Sequence, residues 1–188
     1  EIMPGVTDAI SFARDPMAFA AARLEEGRLQ SVLKIDFEAP AAANDPQAPA
    51  SSDWAAPKGL SGMSTWQRAI SKGSFSIDDS LGLKSARSLR LASVRVGCAL
   101  RGIAVKPDEV YLVRLAAKSK GAASPALSLS WKDPKNNWVN ESEVVRVACE
   151  QDAGDGWRRA SAVATVPPGT GFMYLQCNMA SPGGADDI

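Results

Sequence analysis

The chain contains no histidine. That removes the usual general base of nucleophilic triads and the commonest transition-metal ligand, so any catalysis would rest on carboxylates, lysines or tyrosines. Cysteine is scarce. Cys98, Cys149 and Cys177 have neither the paired Cys-x-x-Cys spacing of a zinc site nor the even count of a disulfide framework. Each sits in a strand-like run and reads as a small buried hydrophobe; a disulfide stays open, because spacing does not encode pairing. Net charge is also lacking: Lys and Arg number 21 and Asp and Glu 21, with no basic block. A nucleic-acid or anionic-membrane partner would therefore meet no electrostatic footprint. No apolar run approaches the length of a membrane span. The chain opens at Glu1 and stops in a strand-like segment. It reads as a piece of a longer protein, so the want of a leader peptide says nothing about where that protein resides.

What is present is enough apolar material for one good core: 45% hydrophobic residues in 188. Asp15-Pro16 followed by Met17 to Glu26 and then Gly27 predicts a helix, with a capping carboxylate, proline in the first turn and glycine past the end. Met17, Ala20, Ala21 and Leu24 recur at helical spacing and form its expected buried stripe. Residues 1–31 are an N-terminal helical segment, read equally well as a helix packed on the domain or as the tail of an upstream module. Residues 39–63 shift to Ala, Pro, Ser, Asp and Gly, which predicts a long loop between the first two strands. Beyond it, strand-like runs recur at short intervals: 66–70, 75–78, 88–93, 98–105, 110–117, 126–131, 144–149, 159–166 and 172–179. That spacing predicts an all-β sandwich over residues 32–188.

Period-two alternation sorts the faces of these strands. Tyr111, Val113 and Leu115 oppose Leu112, Arg114 and Ala116, while Leu127, Leu129 and Trp131 oppose Ser128 and Ser130. In the last run Met173, Leu175, Cys177 and Met179 form the apolar face, leaving Phe172, Tyr174, Gln176 and Asn178 on its back. The outward set of arginine, tyrosine and amides is of the donor and acceptor types that satisfy sugar hydroxyls.

The order of several fragments carries a family resemblance. They are Ser88-Leu89-Arg90-Leu91, the run from Arg101 through Pro107 and Tyr111 to Arg114, and Ala126 to Asp133. Trp157-Arg158-Arg159, the turn Val166-Pro167-Pro168-Gly169, Phe172 to Met179 and the closing Ala185-Asp186-Asp187-Ile188 follow. Leu33-Lys34-Ile35-Asp36-Phe37-Glu38 matches an opening aromatic-Glu signature. Together these resemble carbohydrate-binding modules of the family 4/9/22 type over residues 32–188. The resemblance implies a galactose-binding-like β-sandwich jelly roll, attached to a glycoside hydrolase in an extracellular or periplasmic protein. It further implies a structural Ca²⁺ held by Glu38 with Asp186 or Asp187, and hard oxygen ligands of this kind suit calcium.

Sugar recognition needs a flat aromatic against the pyranose C–H face and planar polar groups for paired hydrogen bonds. The candidate ligand-binding residues are Arg114, Tyr174, Gln176, Asn178, Trp54 and Trp138. Trp54 and Trp138 lie in polar loops, where sugar binding and loop anchoring are equally open. Trp131 continues an apolar face and reads as core, as does Trp157, which the resembling family also fills with tryptophan. Trp66 reads as packing. The close carboxylate pairs, Glu141 with Glu143 and Asp152 with Asp155, lie in very polar segments and read as solvated, not as the cleft pair of a glycosidase. With no Gly-x-Ser-x-Gly elbow either, the expectation is a polypeptide without hydrolase activity of its own that tethers an attached hydrolase to a polysaccharide or oligosaccharide. The alternative is a structural sandwich that packs on a neighbouring catalytic module and binds no sugar.

Overall fold

A computed structural model describes residues 15–30, 33, 35, 63–68, 73–120, 124–139 and 144–180. Among the described residues one helix, α1 (Pro16–Glu25), precedes ten strands: β1 (Ser64–Gln67), β2 (Ser74–Asp78), β3 (Ser88–Ala92), β4 (Gly97–Ala104) and β5 (Val110–Ala117), then β6 (Ser124–Lys132), β7 (Val145–Ala148), β8 (Gln151–Gly154), β9 (Trp157–Thr165) and β10 (Phe172–Ala180). Every pairing is antiparallel, in a five-stranded sheet of order β1-β4-β10-β6-β7, a three-stranded sheet β5-β9-β8 and the hairpin β2-β3. Neighbours far apart in sequence, β4 beside β10 and β10 beside β6, are what sandwich crossovers produce. The expected all-β sandwich with a short N-terminal helix is the observed fold.

The core forms where the five- and three-stranded sheets face each other. Alternation puts Ile103, Leu127, Leu129, Trp131 and Met173 on the inner face of the larger sheet, against Ala160, Ala162, Ala164 and Val166. The alanine row on β9 leaves room for the indole of Trp131, large against small as close packing requires. Tyr111, Val113 and Leu115 close the same core from β5. The hairpin contributes Phe75, Ile77 and Leu89, packed against Met63 and Ala99. Gly97 is needed where β4 meets β1, because a Cβ there would lie 2.5 Å from the carbonyl oxygen of Trp66.

Asp15 caps α1 as its sequence implies, its Oδ1 accepting from the Ala18 amide at 2.9 Å. The helix lies against β9 with Ala20 buried, but Leu24 is 42% exposed. The expected stripe is therefore narrower than its spacing suggests, and Arg23 lies over the Phe19 ring instead. No described helix is long and apolar enough to cross a membrane. Strand β8 falls in a segment read as solvated loop. Its residues Gln151 to Gly154 have no apolar alternation and pair with β9 through the backbone around a tight Gly154-Asp155-Gly156 turn of positive φ.

Candidate functional site

The outer face of the five-stranded sheet gathers most of the polar side chains that strand parity points away from the core. The register fixes its rows. Trp66 on β1 stands beside Cys98 on β4 and Asn178 on β10. In the next row Leu100, Gln176, Ser128 and Arg146 come from four neighbouring strands, β4, β10, β6 and β7. Beyond these lie Tyr174 with Ser130, then Phe172 with Lys132.

From these rows Trp66, Asn178, Gln176, Ser128, Ser130 and Arg146 line a groove of about 280 Å³, together with Val96 and Gly97 and with Arg68 and Val144. In its floor the Gln176 Nε2 donates to Ser130 Oγ at 2.9 Å, and the Asn178 Nδ2 donates to Ser128 Oγ at 2.7 Å. Each of these bonds uses one amide N–H, which leaves the side-chain carbonyl oxygen, the second N–H and the serine hydroxyl protons for a ligand. Such paired donors and acceptors on rigid strands match adjacent hydroxyls. On the same face, beside the amides, Cys98, Leu100 and Tyr174 pack together with Phe172 against them. Burial, and the charge of Cys177 after it, pushes the Cys98 thiol up to about 12.

Next to the groove a tight turn brings Trp138 back over the sheet. Asp133 organises that turn: its Oδ1 accepts from the amides of Lys135 and Asn137 at 2.8 Å, and its Oδ2 accepts from Asn137 Nδ2 at 3.0 Å. The side-chain bond from Asn137, followed by that residue's backbone amide, holds the Asp133 carboxyl below the usual carboxylate range. Trp138 then pairs with Lys132 as an isolated bridge, 48% exposed, its ring 5.6 Å from that of Tyr174. The Lys132 ammonium lies 4.4 Å from the Trp138 centroid and 5.2 Å from that of Tyr174, and burial lowers its pKa. Two aromatic faces replace part of the lost hydration of that cation.

The residues singled out from sequence fare differently. Gln176 and Asn178 share the groove, and Trp138 flanks the same face. Tyr174 is on this face but only 4% exposed, its hydroxyl donating to Asn136 Oδ1 at 3.2 Å. It packs with Cys98 and Leu100. Arg114 requires a correction: β5 belongs to the three-stranded sheet, so its exposed side chain is on a different sheet from β10 and cannot join Gln176. Trp54, Glu38, Asp186 and Asp187 lie outside the described residues, as do Glu141 and Glu143. Among the described residues no group of three or more His, Cys, Asp or Glu side chains gathers to hold a metal ion. Trp131 and Trp157 are buried as expected, whereas Trp66, read as packing, is 36% exposed over the groove. All three cysteines are free thiols, Cys98 and Cys149 buried and Cys177 half-buried.

Sequence reasoning left Arg68, Arg146, Ser128 and Ser130 out of the candidate set. The signal for Arg146 was there, since Val145 and Val147 flank it and point to the core.

No family model matches the sequence, and no curated protein matches it. Among solved structures the chain is similar to the enzymatically active domain of bacteriophage CBA120 tailspike protein 4, at 16% identity and a TM-score of 0.48. The match covers 69% of this chain and 17% of that one. One expectation is corrected by this finding. The sequence predicts a polypeptide without hydrolase activity of its own, but the structure it is similar to is an enzymatically active domain, so the exclusion of catalysis does not stand. The likeness says nothing further about the groove, which rests on this chain's own residues.

Proposed function

We propose that the outer face of the five-stranded sheet binds a glycan. The carrying observation is the juxtaposition of an exposed indole, Trp66, with the Gln176–Ser130 and Asn178–Ser128 pairs in one open groove. An aromatic face for C–H groups and planar polar groups for neighbouring hydroxyls are the two chemistries a pyranose requires. In this reading the chain is a module of the carbohydrate-binding type in an extracellular or periplasmic protein. It raises the local concentration of glycan around an attached glycoside hydrolase by tethering, an effect that needs no new chemistry.

Affinity-gel retention across a panel of polysaccharides tests the reading. Wild type should be retarded by at least one glycan, and Trp66→Ala and Gln176→Ala should each reduce the retardation while the melting temperature stays within a few degrees. Retention of both variants equal to wild type would remove this face as the binding surface.

A further inference from the structure

The charges around the groove specify its ligand further than hydroxyl recognition does. Among the described residues that line it, two are cationic, Arg68 and Arg146, and none is a carboxylate. Both arginines are exposed, and among the described residues neither guanidinium is in an ion pair. Asp133, next to Lys132 on this face, has its oxygens committed to the 133–137 turn, and Lys132 adds a third cation. This local excess of positive charge stands on a chain whose formal net charge is zero.

From this distribution we propose that the groove recognises an acidic polysaccharide, its carboxylates read by Arg68 and Arg146. The inference rests on the glycan-binding reading above and names its substrate class. Arg68 follows β1 and Arg146 is on β7, the two edges of the sheet. Four inter-strand spacings of roughly 4.8 Å place those edges about 19 Å apart. A polysaccharide lying across the strands therefore meets Arg68 and the Trp66 indole at one edge, the amides of β10 in the middle, and Arg146 at the other. Carboxylates carried on separate sugar residues fit that spacing, whereas a single acidic sugar reaches one arginine only. The planar guanidinium matches a carboxylate with two parallel N–H···O bonds, which gives orientation as well as attraction.

The test compares gels of polygalacturonate, alginate and hyaluronan with the same polymers after their carboxyl groups are reduced to alcohols, and with heparin. Wild type should bind at least one uronate polymer, lose most of that binding on the reduced counterpart, and weaken as salt rises. Arg68→Gln and Arg146→Gln should each weaken the acidic interaction by roughly tenfold, the cost of removing a charge-assisted hydrogen bond, with unchanged melting temperatures. Equal binding to the acidic and reduced forms, or to wild type and both arginine variants, overturns the acidic ligand but leaves the glycan-binding face standing. Retention on heparin without retention on polygalacturonate, alginate or hyaluronan points to sulfate and overturns the carboxylate assignment. Absence of retention on every glycan, neutral or acidic, overturns both readings together.

Discussion

If the apolar cluster beside the groove amides is packed dry, Cys98 should make the protein less stable in alkali by a calculable amount. The thiol is on the outer face of β4, in register with Trp66 and Asn178 and 4% exposed. Its pKa rises from an ordinary 9.0 to about 12, burial being the larger cause. Between those values the native thiol keeps a proton that the unfolded chain has released. The unfolded state then binds fewer protons, so the free energy of unfolding falls as pH rises. At pH 8 the loss is below about 0.1 kcal/mol; at pH 10, one unit above the unfolded value, it reaches about 1.4 kcal/mol. The destabilisation begins near pH 9 and grows until the folded pKa is passed.

Urea unfolding under reducing conditions, followed by tryptophan fluorescence at pH 8 and pH 10, measures this. Other groups titrate in the same interval, including Tyr111, which burial and a bond to Glu109 push up to about 12. The informative quantity is therefore a double difference. Cys98→Ala has its own baseline cost, but its stability change from pH 8 to pH 10 should be smaller than that of wild type by about 1.4 kcal/mol. The same change in both proteins would mean that water reaches the thiol, and that the cluster of Cys98, Leu100 and Tyr174 is not dry.

Tyr174→Ala should destabilise the protein by about 3–5 kcal/mol, as loss of a buried aromatic does, while Tyr174→Phe, which keeps the ring and loses the bond to Asn136, should cost about 1 kcal/mol. Denaturant unfolding distinguishes them, and a Tyr174→Ala protein as stable as wild type would put that ring at the ligand instead of in the cluster. Calcium binding by Glu38 with Asp186 or Asp187, proposed from the family resemblance, should raise the melting temperature in excess calcium above that in chelator, through preferential binding to the folded state. Glu38→Gln should remove the difference, and equal melting temperatures of wild type in the two buffers would reject the site.

Much of the fold was legible because each strand states its own parity. Leu127-x-Leu129-x-Trp131 and Met173-x-Leu175 mark the inner face without any knowledge of their neighbours, and both face the core as read. Nine of the ten described strands overlap runs that the residues announce, β1 by two residues only; β8 does not, because an edge strand held by backbone pairing needs no apolar alternation. The helix was legible from its punctuation, since Asp15 and Gly27 act locally. Its buried face was less so, because a single alanine against β9 satisfies the contact that a full stripe would.

The candidate site was legible only by halves, for a reason of topology. Parity nominates which side chains point outward, but strand order decides which of them meet. Arg114 and Gln176 are equally outward by alternation, yet one is in the three-stranded sheet and the other in the five-stranded sheet. Trp66 and Arg146, eighty residues apart, line one groove because β4, β10 and β6 lie between their strands. No local pattern encodes that order, which is set by non-local pairing and by the burial of both faces of β4. A tryptophan at the start of a short strand reads as packing until that strand is known to lie at an edge. Once β1 is known to be at the edge of the five-stranded sheet, the same indole is exposed over the groove, and its neighbours define the chemistry it serves.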